Sequence, residues 1–144
     1  AFTGFTQSVS IGNNVVSGAP THGIFVGTEL TSASAGVIGT AAVQVADNTV
    51  SNVGIHGIVV DTLVSSATLS ESVFHVDGNT IRTAGGIAIY VHNDVDAGGV
   101  LTQGVAVGGS SATINDNFVG YASNGGIVVS NHVSGVGATL SATA

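Results

Sequence analysis

Apolar residues alternate with polar or small ones in two motifs that recur along the chain. The first motif reads VSIGNNVV from Val9, VQVADNTV from Val43, FHVDGNTI from Phe74 and ATINDNFV from Ala112. The second reads GIFV at Gly23, GIVV at Gly57, GIAI at Gly86 and GIVV at Gly126. In the first, Val9 and Ile11, Val43 and Val45, Phe74 and Val76, and Ala112 and Ile114 fall on one side. Ile24 and Val26, Ile58 and Val60, Ile87 and Ile89, and Ile127 and Val129 do the same in the second. A period of two marks strands with one buried face. β-branched residues dominate these positions, as strands prefer. No long stretch with helical spacing interrupts them, which argues against βαβ units.

The motifs keep a register. Asn14, Asn48, Asn79 and Asn117 recur at separations of 34, 31 and 38 residues. From each Asn to the following Gly23, Gly57, Gly86 or Gly126 the spacing is 9, 9, 7 and 9. From each Gly to the next Asn it is 25, 22 and 31. One arm of the repeat is thus nearly fixed and the other varies. A fixed arm is a packed element, and a varying arm contains loops.

A repeat of two or three short strands cannot bury its apolar residues alone. Stacking lets Val pack on Val and Ile on Ile along a common axis. The expected fold is all-β: a parallel β-solenoid of about four rungs plus a partial fifth, with one rung per repeat. Repeats are expected at approximately 2–34, 35–66, 67–104 and 105–137, with a partial repeat at 138–144, all in one domain. Rungs stack roughly 4.8 Å apart. The four Asn residues are expected to form an amide ladder from rung to rung. They also suit turns that need a left-handed residue. Gly23, Gly57, Gly86 and Gly126 are expected as turn glycines. Asp47, Asp77 and Asp116, each within two residues of a ladder Asn, read as turn caps.

Asn-Thr-Val at 48–50 and Asn-Thr-Ile at 79–81, each followed by Gly-Ile-X-apolar, resemble the right-handed parallel β-helix repeats of the pectate-lyase-like superfamily. The resemblance covers nearly the whole chain. It implies a right-handed helix of the kind found in polysaccharide lyases and hydrolases, phage tailspikes, autotransporter passengers and large bacterial adhesins. Rungs here are longer than that family's, and the excess is expected to loop out between Asp94 and Ser110.

Composition narrows the function. The chain has 144 residues, 44% hydrophobic and only 6% charged, with a net charge of −7. Disordered chains are poor in Val and Ile and rich in charge, so disorder does not fit. Arg82 is the only Lys or Arg. Nucleic acid and anionic membrane surfaces both demand several cations. The absence of Cys excludes a disulfide scaffold and a thiolate metal site. No stretch is apolar and long enough for a transmembrane helix. Five Phe, two Tyr and no Trp do not make the aromatic girdles of a membrane barrel.

Candidate chemistry is sparse. The resemblance to lyases implies acidic calcium ligands beside a basic residue, and hydrolases on that scaffold use clustered Asp. Only Arg82 is available as the base. Asp94 and Asp96 are the only close acidic pair; they read as a solvated loop, with weak calcium binding as the alternative. Glycoside hydrolysis needs two carboxylates held across a cleft, and no such pair is visible. His22 and His56 both precede a Gly-Ile motif and are expected to stack. His92 and His132 share an offset at which the first repeat has Glu29. A metal site needs three or four converging ligands, so surface stacking is the expectation for all four. Thr49 and Thr80 match, but Val15 and Phe118 stand in their place in the outer repeats, so no regular Thr face for ice binding exists.

No enzyme activity, cofactor or metal is expected. The expectation is a structural or adhesive extracellular module on the cell surface. It would be a segment of a long solenoid or a subunit of an end-to-end filament, with self-association or continuation of the solenoid as its partnership. A polysaccharide-binding or polysaccharide-cleaving β-helix is the alternative. Both ends of the solenoid are expected to be uncapped, because neither carries a polar capping helix.

Overall fold

The computed structural model describes residues 3–31, 37–103 and 112–142. Every described strand pairing is parallel, and the strands form three sheets. The first sheet holds β1 (Thr3–Gly12), β4 (Val37–Ala46), β7 (Thr68–Asp77), β10 (Val100–Gln103) and β13 (Thr139–Ala142), in that order. The second holds the short strands β2 (Val15–Ser17), β5 (Thr49–Ser51), β8 (Thr80–Ile81) and β11 (Phe118–Val119). The third holds β3 (Ile24–Thr31), β6 (Ile58–Ser65), β9 (Ile87–Asp96) and β12 (Gly125–Val133). Each repeat contributes one strand to each sheet, so one repeat is one coil. This is a parallel β-solenoid.

The solenoid makes about three turns, slightly fewer than the four and a partial fifth expected. β1 to β9 complete three circuits with a strand in every sheet. The fourth copy of the first motif does not build an equal strand: it meets the third circuit through the bridge between Thr113 and His75, the two-residue β11 and the hydrogen bonds of Asn115 and Asn117. Val100 pairs with Thr68, so the fourth circuit opens at Val100, ahead of the boundary expected at 105. Gln103 pairs with Ser72 and Thr113 with His75, so the surplus length of the fourth repeat falls between Gln103 and Thr113. Asp94 and Asp96 therefore lie on a strand, not on the loop expected between Asp94 and Ser110, whose residues 104–110 lie outside the described residues.

Register corrects the glycine column. Ile24 pairs with Ile58, Ile58 with Ile89, and Ile89 with Ile127. Ala88, not Gly86, thus stands in line with Gly23, Gly57 and Gly126. Counted from Asn79 to Ala88, the fixed arm is nine residues in every repeat. The slip of two went unseen because it keeps every side chain on its own face.

The Asn residues do not make the left-handed turns. The positive-φ residues at that corner are Asn13, Asp47, Gly78 and Asp116, each one position before a ladder Asn. Asn and Asp tolerate this conformation and Gly adopts it freely. That frees the ladder Asn to point inward.

The interior is two apolar clusters, not one. Ile58, Ile89, Val45, Val76 and Ile81 anchor the larger, at the Asn corner. Leu69, Leu101, Val64 and Val95 anchor the smaller, at the far corner. Between them runs a polar seam of buried Thr28, Thr62, Ser72, Asn93 and Gln103. Asn93 and Gln103 exchange two side-chain amide hydrogen bonds of 2.8 Å. Thr28 donates to Gln7 at 2.6 Å. Pairing of this kind is what makes buried polar groups tolerable.

The two ends differ. In the first circuit, Ile24, Val26 and Leu30 are only 5–6% exposed. In the last, Ile127 and Val129, in line with them, are 47% and 50% exposed. Among the described residues β1, β2 and β3 have no partner on their outer edges, and Val9, Ile11 and Val16 are only partly buried, so both ends are open and β12 exposes more of the core.

Candidate functional site

Three columns of polar side chains run along the axis. The innermost is the Asn ladder. Asn14 Nδ2 donates to Asn48 Oδ1, Asn48 Nδ2 to Asn79 Oδ1, and Asn79 Nδ2 to Asn117 Oδ1, each at 3.0 Å. The backbone N–H of Asn14, Asn48 and Asn79 donates to the same oxygens at 2.9–3.0 Å. The second hydrogen of each inner Nδ2 reaches backbone carbonyls, as Asn79 does to Val45 at 2.8 Å. Each amide thus closes a corner of its own rung and ties it to the next.

The second column lies on the outer face of the third sheet. His22 and His56 stack with centroids 5.2 Å apart and planes 7° apart. Tyr90 continues the row at 5.3 Å from His56, and His92 at 5.6 Å from Tyr90. His92 Nδ1 meets Asp61 at 2.8 Å, and His132 Nδ1 meets Asp94 at 3.0 Å. His92 and His132 stand in different columns, one beside Asp61 and Ser130, the other with Glu29, Leu63 and Asp94. Asp96 accepts from Ser134 at 3.1 Å and from the Ala97 N–H. Among the described residues, no three His, Asp or Glu side chains converge as metal ligands do.

Burial, and secondarily the charge of His22, hold the His56 imidazole below its ordinary 6.5. The Ile87 N–H donates to His56 Nδ1 at 3.0 Å, a bond that a protonated Nδ1 could not accept. A histidine whose folded value is lowered contributes stability in full above 6.5, and loses it as pH falls through the folded value. Melting temperature is therefore expected to fall between about pH 7.5 and about pH 5, and to fall less in His56→Asn. Equal pH slopes in thermal melts of the two proteins would contradict this.

The third column is a groove on the outer face of the first sheet, with a volume of about 350 Å³. Ser8, Ser10, Gln44, Glu71 and His75 give it polar walls, and Ala42 and Val73 an apolar floor. Thr113 Oγ1 donates to Asp77 Oδ2 at 2.8 Å. Its one hydrogen is then committed, so His75 Nδ1 must be the donor in the 2.8 Å contact with Thr113 Oγ1. In the neutral ring Nε2 is left as the acceptor. Sequence reading missed this relay, because Asp77 and Thr113 are 36 residues apart and meet only through the register of the coils.

Arg82 is not among the residues lining the groove; it is exposed at the corner after β8. Its backbone N–H donates to Val50 O at 2.9 Å. The arrangement implied by lyase resemblance, clustered acids beside Arg82, is thus not brought together in this groove. Thr49 and Thr80 pair between Val15 and Phe118. Gly23 and Gly57 sit where a Cβ would meet a backbone oxygen of the next coil at 2.7 and 2.5 Å, while Gly126 has open space. None of the four glycines has a positive φ, so Gly23, Gly57 and Gly86 serve close approach of coils and not left-handed turning, while Gly126 meets no neighbour within 4 Å.

No protein-family model, curated protein or solved structure matches this chain. What stands is the parallel β-solenoid itself.

Proposed function

We propose that the chain is a structural module of a cell-surface or extracellular solenoid, of the fibre or adhesin kind, joined to further structure through its C-terminal edge. The observation that carries this is the contrast along one core column. Ile58 and Ile89 are fully buried, and Ile127 is 47% exposed. A monomeric soluble fold seldom leaves the continuation of its core open to water. The Asn ladder adds support. At the open end the Asn117 Nδ2 reaches Val76 O at 2.6 Å, but the Asn117 backbone N–H has no partner among the described residues, where a further coil would supply an Asn oxygen. We assign no catalytic role.

The test is an added coil. A copy of residues 73–103 appended in phase after Ala142, which stands in line with Gln103 and Ser72, should raise the melting temperature and lower binding of a hydrophobic dye. A lower melting temperature with unchanged dye binding would sink the reading.

A second reading draws on the groove. Its hydroxyl, amide and carboxylate walls over an apolar floor suit a sugar chain. Retention on insoluble polysaccharide, lost in Glu71→Ala and kept in Arg82→Ala, would support it; no retention by the unaltered chain would remove it.

A further inference from the structure

The outer face of the third sheet carries two kinds of histidine. His92 and His132 each set Nδ1 against a carboxylate of the preceding coil, Asp61 at 2.8 Å and Asp94 at 3.0 Å. Once protonated, either ring stands beside a counter-charge and ties two coils together. His22 and His56 have no carboxylate partner among the described residues. They stack on each other instead, at the corner where the first coil meets the second.

Both rings use Nδ1 in a way that an added proton spoils. His56 Nδ1 accepts the Ile87 N–H at 3.0 Å. Ile87 holds in the third coil the place that His56 holds in the second and His22 in the first. His22 Nδ1 is buried and has no hydrogen-bond partner. Protonation of His56 therefore sets one N–H against another. Protonation of His22 charges a ring whose Nδ1 no acceptor reaches. The rings lie 5.2 Å apart with planes at 7°, so a charge on one also opposes a charge on the other.

The surroundings offer no compensation. Phe25 packs on His22 with centroids 5.8 Å apart, and Tyr90 on His56 at 5.3 Å. Beyond Tyr90 stands His92, already held by Asp61. The other carboxylates of the face, Glu29, Asp94 and Asp96, lie further along the strands, in the columns of Leu63 and Ser65. The charge that bears on His56 is that of His22. Arg82 follows β8 in the second sheet.

Backbone bonds close the corner around the stack. The Ile55 N–H donates to Thr21 O at 2.8 Å, the Gly23 N–H to His56 O at 3.0 Å and the Ile24 N–H to Gly57 O at 2.9 Å. All three hold the first coil, whose strands have a neighbour on one side only. We propose that the His22–His56 stack is an acid-operated latch. Protonation opens the corner between the first and second coils locally, while the Asp61–His92 and Asp94–His132 pairs keep the later coils closed. The latch acts within the chain and is independent of what joins its open edges.

Amide hydrogen exchange followed by NMR tests this residue by residue. Between about pH 7.5 and about pH 5 the protection factors of Gly23, Ile24, Ile55 and Ile87 should fall about tenfold or more. Those of Thr80 and Ser134, bonded to Asn48 O and Val95 O, should hold. In His22→Phe, which keeps a ring in the stack, the fall at Gly23 and Ile24 should shrink. In His22→Phe combined with His56→Asn it should vanish at all four. A loss of protection shared by every amide overturns the latch, since that is global acid unfolding. Unchanged protection at the corner overturns it as well, and so does a fall that keeps its full size in His22→Phe.

Discussion

Asn79→Ala is expected to lower stability by about 4 kcal/mol, read from urea denaturation followed by circular dichroism. Asn79 is fully buried at the centre of the ladder. Its Nδ2 donates to Val45 O at 2.8 Å, Asn117 Oδ1 at 3.0 Å and Asp77 O at 3.1 Å. Its Oδ1 accepts from the Asn48 N–H and Nδ2, both at 3.0 Å. Removing the amide orphans groups that stay in the core, since Asn48 is itself 1% exposed. Each buried unpaired group costs roughly 1–3 kcal/mol, and neighbouring coils relax to recover part of it. Asn14 sits at the exposed end of the same ladder, where water replaces the lost partner. Asn14→Ala should therefore cost about 1 kcal/mol or less. Equal losses at the two sites would mean that the ladder is not buried at Asn79.

Gly57→Ala should cost about 2–3 kcal/mol, while Gly126→Ala, in the same column, should be near neutral. A Cβ on Gly57 would lie 2.5 Å from the Ala88 carbonyl oxygen and 2.9 Å from Ile81 Cγ2. The carbonyl is backbone of the next coil and cannot turn aside without disturbing the Gly57 N–H bond to Ile87 O at 3.0 Å. A Cβ on Gly126 meets nothing within 4 Å, because no described coil follows it. Thermal melts of the two variants give the comparison. A stable Gly57→Ala protein would show that the coils at that corner stand further apart than the structure has them.

The difference between these glycines marks how far the sequence could be read. Alternation and the Asn spacing made the solenoid, its columns and its parallel sheets legible, because a stacked fold repeats its requirements once per coil. Gly86 misled for the same reason: Gly-Ile recurs two residues early, and a shift of two preserves the facing of every side chain. The polar seam was not legible. Thr28, Thr62 and Asn93 look like surface residues until the opposing sheet supplies partners for Thr28 and Asn93. The different burial of β3 and β12 was not legible either. Ile24 and Ile127 both stand in a Gly-Ile-X-Val motif, yet they are 6% and 47% exposed. In the groove, the orientation of His75 depends on Thr113 and Asp77, whose meeting is set by coil register and not by any local motif.

The register of stacked coils underlies the ladder, the glycine column and the open edge, and nuclear Overhauser contacts in solution measure it directly. Side-chain amide protons of Asn48 should contact those of Asn79, and those of Asn79 should contact Asn117. Val59 should contact Tyr90 across neighbouring coils. Contacts from Val59 to Ala88 in place of Tyr90, or no contact between Asn48 and Asn79, would contradict the parallel register on which the solenoid rests.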